Sequence, residues 1–195
     1  MSKRIALLSA VAFSALAITT SVIAPASAED KKMMKSEMSG EKIVMVGGAA
    51  MFPSKNIIQN AVNSKDHTTL VAAVKAAGLV DTLESKGPFT VFAPTNAAFG
   101  KLPAGTVDTL VKPENKATLT KILTYHVVPG KLEASDLTDG KKLKTVEGEE
   151  LTVKKSGDKV MIVDAKGGSS TVTIPNVNQS NGVIHVVDTV LMPAS

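Results

Sequence analysis

The spacing of the apolar residues changes near the middle of the chain, and this change limits the fold more than any other feature of the sequence. Over residues 53–124 apolar positions recur at helical spacing, most clearly in residues 70–77. Over residues 143–190 they alternate or form β-branched runs, separated by turn signals such as Asn181-Gly182. One further strand, residues 89–93, is predicted inside the helical half. Because helices and strands are segregated, we expect an α+β domain and not a wound parallel sheet.

The first 28 residues have the pattern of a secretory signal peptide. Lys3 and Arg4 supply the positive start, residues 5–23 are mostly apolar, and Ala26-Ser27-Ala28 provides a small-residue cleavage site. An uncleaved membrane anchor is the alternative, but serines and threonines dilute the apolar run. We therefore expect a secreted protein, periplasmic or extracellular, with no stable membrane span after cleavage.

Charge and cysteine content narrow the classes of function. Removal of Lys3 and Arg4 lowers the formal charge from +4 to about +2 and leaves a chain without arginine. Because arginine makes most bidentate contacts to phosphate and guanine, nucleic acid is not an expected partner. The absence of cysteine excludes disulfides and thiol nucleophiles, so the domain must depend on its hydrophobic core.

Residues 29–52 lack a sustained apolar period, and we expect them to form a tail with little fixed structure ahead of a single domain over residues 53–195. Methionines are concentrated in this tail, with Met33, Met34 and Met38 close together. Thioethers are soft ligands that suit Cu(I). The tail is therefore interpreted as a flexible spacer. The alternative is the metal-binding segment of a periplasmic small-ligand or copper-binding protein.

The sequence contains no recognisable catalytic motif, since the G-x-S-x-G elbow, the phosphate-binding loop and H-E-x-x-H are all missing. His67 falls in the first turn of a predicted helix and is expected to be exposed. His126 and His185 lie among apolar residues and are expected to be neutral structural histidines, with a metal pair as the alternative. The glutamates within residues 147–150 lie among lysines and predict a salt-bridged hairpin surface. We expect neither an enzyme nor a cofactor.

Three segments resemble the signatures of the fasciclin-like domain family. Residues 90–99 (Thr-Val-Phe-Ala-Pro-Thr-Asn-Ala-Ala-Phe) are similar to its first signature, and residues 181–193 are similar to its second. Between them, Tyr125-His126 followed by Val-Val-Pro-Gly is similar to its tyrosine–histidine motif. The segments follow the order and spacing of the family over about residues 53–194. The Gly-Gly-Ala-Ala-Met-Phe-Pro lead-in resembles small secreted bacterial members.

The resemblance implies a β-wedge of antiparallel strands packed with several α-helices. It also implies a non-enzymatic module for adhesion, whose partner is a cell-surface or matrix protein or polysaccharide. Animal members are similar in engaging integrins through an acidic residue upstream of the second signature. Asn176 stands at that position here and cannot replace a metal-bound carboxylate, so integrin recognition is not expected. The candidate partner-binding residues are Tyr125, His126 and Asn176, with a structural role as the alternative for Tyr125 and His126.

Overall fold

The computed structural model describes residues 42–194, and the predicted helices are present there. The predicted signal peptide and residues 29–41 lie outside the described residues. The α-helices of the described chain are α1 (Ile57–Ala61), α2 (Thr68–Ala77), α3 (Val80–Glu84), α4 (Asn96–Gly100), α5 (Thr106–Leu110) and α6 (Lys116–Tyr125). Short 3-10 turns, Lys65–His67 and Pro113–Asn115, precede α2 and α6. Since apolar residues recur at helical spacing, each of the two longest helices, α2 and α6, buries one side.

The strands form a short hairpin and a large mixed sheet. The hairpin pairs β1 (Val44–Val46) with β2 (Ala49–Met51). The sheet strands are β3 (Phe89–Pro94), β4 (Val127–Pro129), β5 (Lys142–Lys144), β6 (Glu150–Ser156), β7 (Lys159–Val163), β8 (Ser169–Gln179) and β9 (Gly182–Val187). Their order in the sheet is β4-β3-β9-β8-β7-β6-β5.

All neighbours in the large sheet are antiparallel except β3 and β9. This parallel central pair departs from the antiparallel arrangement that we expected, while the α+β class is confirmed. The backbone N–H of Val146, just after β5, donates to the Val127 carbonyl of β4 at 2.8 Å. The two edges of the sheet therefore approach each other, and the sheet curls into a wedge.

Two apolar clusters lie on opposite sides of the central strands. One fills the space between the helices and the sheet, and includes Val91, Ile184 and Val186. The other lies inside the curled sheet, and includes Phe92 and Val187. Every residue of β9 is buried, so this strand is covered from both sides. Both clusters therefore depend on β3 and β9.

The expectation of little fixed structure is wrong for residues 44–51. Gly47 and Gly48 have φ angles of 57° and 75°, which is the left-handed backbone that a two-residue hairpin turn requires. This turn lets the inward side chains Val46 and Met51, each 3% exposed, join the apolar cluster beneath the helices. The predicted boundaries at residues 28 and 52 remain predictions.

A buried asparagine and a glycine hold the turn between β8 and β9 against the helices. The Asn181 Oδ1 accepts from Ile57 N at 3.1 Å, and its Nδ2 donates to the carbonyls of Leu83 and Ser85 at 2.7 and 3.0 Å. Gly182 follows and pairs with Phe89, where the two backbones approach so closely that a β-carbon on Gly182 would overlap the Phe89 carbonyl oxygen. The start of β9 is therefore fixed by contacts with distant parts of the chain.

Candidate interaction site

Tyr125 ends α6 inside the curled sheet, and its side chain is fully buried. Its hydroxyl accepts from Ala165 N at 2.9 Å and donates to the Glu150 carbonyl at 3.5 Å. Burial raises the pKa of the phenol, so the side chain stays protonated. Tyr125 therefore uses its polar atom to hold the loop after β7.

His126 is 2% exposed and makes two hydrogen bonds to backbone. Its Nδ1 lies 2.8 Å from the Ile122 carbonyl, and its Nε2 lies 3.0 Å from Leu191 N. These partners require Nδ1–H to donate and Nε2 to accept, so the ring is neutral. Burial lowers the pKa of His126 to about 4, although the nearby Asp164 carboxylate opposes this shift.

Side chains fix the segment that follows β9. Its N–H groups at Thr189, Leu191, Met192 and Ala194 donate in turn to Ser170 Oγ (3.0 Å), His126 Nε2 (3.0 Å), Asp164 Oδ2 (3.1 Å) and Glu149 Oε2 (2.8 Å). The role of Asp164 was not anticipated from the sequence, although Gly167 and Gly168 after it are typical of the turn in which its Oδ1 accepts two backbone N–H groups.

Asn176 lies at a bulge of β8, and within residues 42–194 it is the only residue other than glycine with a positive φ, at 57°. Asparagine tolerates this backbone better than most residues. Its Oδ1 accepts from Ala134 N at 2.7 Å, and its N–H donates to His185 Nδ1 at 3.4 Å. His185 Nε2 in turn donates to the Leu132 carbonyl at 2.8 Å. Asn176 and His185 thus hold the loop between β4 and β5 against the sheet.

The three candidate partner-binding residues do not form one exposed site. Tyr125 and His126 lie together in the core, where a partner cannot touch them, whereas Asn176 is half-buried and its side chain is bonded to the chain itself. Their burial favours the structural role for Tyr125 and His126, and partner binding by the three residues stays a prediction. These residues position the surface around them.

His67 is buried, so the expectation that it is exposed is wrong. It ends a 3-10 turn, is 3% exposed, and its Nδ1 lies 2.9 Å from Ser64 Oγ. The ring faces an apolar cavity of about 40 Å³ between the helices and the sheet. Its Nε2 is buried and has no hydrogen-bond partner among the described residues. Burial lowers the pKa of His67.

The polar groups of the described chain do not converge on a reactive centre. His126 and His185 each have separate backbone partners, and no group of three or more histidines or acidic residues in residues 42–194 could hold a metal ion. Met33, Met34 and Met38 lie outside the described residues, so copper binding by the tail stays a prediction. The predicted hairpin surface contains the ion pair Lys142–Glu150 at 3.2 Å.

Replacing Tyr125 with phenylalanine should lower the free energy of unfolding by about 1 kcal/mol, because the part-buried hydrogen bond from Ala165 N–H to the hydroxyl is lost. Urea unfolding measures this change. Thr124→Val is the matched control, since its hydroxyl only bonds back to carbonyls of its own helix. Equal stability of the two variants would contradict the structural role of Tyr125.

The mixed sheet, the helices on one side and the buried tyrosine–histidine motif define a fasciclin-type fold. The Fasciclin domain family model matches residues 65–193, and the chain belongs to this family. Protein sll1483 of Synechocystis is 50% identical over 153 residues, covering 78% of this chain and 82% of that protein. The cell surface glycolipoprotein MPB83 of Mycobacterium bovis is 35% identical over 181 residues, covering 90% and 78%.

A solved structure has the same fold. It is a FAS1 domain pair from the insect cell adhesion molecule Fasciclin I, with a TM-score of 0.65 over 83% of this chain and 75% of that one. The sequence identity is 14%, so this likeness concerns the fold alone. Within residues 42–194, no helix is both long and apolar enough to cross a membrane.

Proposed function

We propose that this protein is a secreted, non-enzymatic adhesion module that binds a cell-surface or matrix protein or polysaccharide. The observation that carries the proposal is that the family motif is used inside the domain. The polar side-chain atoms of Tyr125, His126 and His185 form hydrogen bonds with backbone groups of the same chain. Such side chains make a rigid scaffold, and a rigid scaffold presents surfaces to partners.

The relatives support the same class of function. One of them is named a cell surface glycolipoprotein, and the structural neighbour comes from a cell adhesion molecule. The predicted signal peptide over residues 1–28 supports secretion to the periplasm or beyond. Partner binding then takes place on the exposed strands, loops and helices of the domain.

The proposal is tested by binding fluorescently labelled protein to the envelope and to the extracellular polymer of the producing bacterium. We expect saturable binding that unlabelled native protein displaces and heat-unfolded protein does not. The Tyr125→Phe variant should bind as tightly as the parent at a temperature where both are folded. Binding that never saturates in either fraction would reject the proposal.

A further inference from the structure

The outer face of strands β5–β7 is rich in lysine. Four lysines, Lys142, Lys144, Lys154 and Lys159, alternate along these strands with the buried residues Leu143, Leu151, Val153, Val160 and Ile162. Because side chains alternate between the two faces of a strand, all four lysines point away from the core. Glu150 is the one acidic residue of strands β5–β7, and it lies on the same face, opposite Lys144.

Three of these lysines lie on a straight diagonal across the strands. Lys142 is opposite Thr152, and Lys154 follows Thr152 by two residues on β6. Lys154 is opposite Met161, and Lys159 precedes Met161 by two residues on β7. Each step therefore crosses one strand and moves one pleat in the same direction. Diagonal neighbours of this kind are about 7–8 Å apart.

The diagonal row carries excess positive charge. Lys142 pairs with Glu150 at 3.2 Å, with side-chain exposures of 69% and 52%, and such an exposed pair is weak. In the part of the chain that the structure describes, no ion pair includes Lys144, Lys154 or Lys159. Four lysines and one glutamate give this face a charge of about +3, and bound anions would relieve the repulsion.

The surface between the lysines suits sugar rings better than bases. The side chains there are half-buried threonines and aliphatic groups: Thr152, Met161, Val163 and Thr171. Hydroxyls can hydrogen-bond to sugars, and flat aliphatic groups can contact the C–H faces of a ring. Strands β5–β8 contain no aromatic residue, whereas binding of single-stranded nucleic acid depends on aromatic stacking.

We infer that this face binds a linear acidic polysaccharide. Its carboxylates contact Lys142, Lys154 and Lys159, and its rings lie over Thr152 and Met161. The inference rests on the proposed adhesive function, and it specifies the chemical class of the partner and the surface that holds it.

The test uses polygalacturonate as the probe, and fully methyl-esterified polygalacturonate as the uncharged form of the same polymer. We expect the purified protein to bind only the charged polymer. Lys142→Gln/Lys154→Gln/Lys159→Gln should weaken binding about tenfold. The same variant should lower the slope of log affinity against log salt by about 2. The matched control, Lys75→Gln/Lys86→Gln/Lys112→Gln, removes the same charge from exposed positions elsewhere and should change the affinity less than about twofold.

Three results with the purified polymers would overturn the inference. They are equal loss of affinity in the two triple variants, equal binding of the esterified polymer, and binding of polyglutamate as tight as that of polygalacturonate. Saturable binding to envelope material that the Lys142/Lys154/Lys159 variant retains in full would also reject this face while leaving the adhesive function intact. Because all six positions are exposed, both variants should keep the urea midpoint of the parent.

Discussion

Gly182→Ala should destabilise the protein by about 4 kcal/mol, which places it among the most damaging single substitutions. The new methyl group would overlap the carbonyl oxygen of Phe89, a backbone atom that cannot rotate away. This overlap can be removed only if β3 and β9 move apart where their parallel pairing begins. Both apolar clusters include residues of these two strands, so the loss is not confined to one side of the sheet. Urea or thermal unfolding of the purified variant measures it.

Gly100→Ala is the matched control for this prediction. Gly100 ends α4 with open space where a β-carbon would stand, so alanine there should be neutral or stabilise the helix by up to about 1 kcal/mol. A Gly182→Ala protein as stable as Gly100→Ala would show that the backbones of β3 and β9 are not as close as described.

Acidification should lower the free energy of unfolding already at pH values above those at which most carboxylates become protonated. His126 has a pKa of 6.5 when exposed and about 4 in the folded protein, so at intermediate pH the unfolded state binds more protons. Stability contributed by the neutral ring is therefore complete above pH 6.5 and is lost as the pH falls. This single group accounts for about 2 kcal/mol between pH 7 and pH 5, and for about 3 kcal/mol by pH 4. Burial lowers the pKa of His67 and His185 as well, so their contributions have the same sign.

Two measurements check the acid prediction. Urea unfolding at pH 7, 6 and 5 gives the slope directly, and His126→Gln should make that slope shallower, since glutamine does not titrate. Proton NMR of the native protein reports the ring independently of any variant, and His126 should remain neutral at pH 5. A ring that titrates near pH 6.5 in the folded state would contradict the buried, neutral His126.

Local patterns predicted the elements better than the contacts between them. Helical spacing identified α2 and α6, and alternation identified β6 and β7, because these patterns reflect which side of an element is buried. A continuous β-branched run identified β9, which is buried on both sides. The parallel pairing of β3 with β9 was missed, since the period of a strand does not encode its distant partner. The hairpin of β1 and β2 was missed because each strand has only three residues.

In the candidate site, too, the residues were predictable from the sequence but their distant contacts were not. The resemblance identified Tyr125, His126 and Asn176 as important, but their hydrogen-bond partners lie far along the chain, at Ala165, Leu191 and Ala134. His67 was misplaced because a 3-10 turn, which has no strong apolar period, precedes α2. The diagonal of lysines became visible only once the register of β5, β6 and β7 was known.

The place of β9 after all the other strands in the chain has a consequence for the order of folding. Synthesis must reach Val187 before either side of the sheet can close, because β9 supplies residues to both apolar clusters. Pairing between segments so distant in sequence is slow compared with local helix formation. Both apolar clusters can therefore close only after this long-range pairing has formed, whereas α2 and α6 can form from local contacts alone.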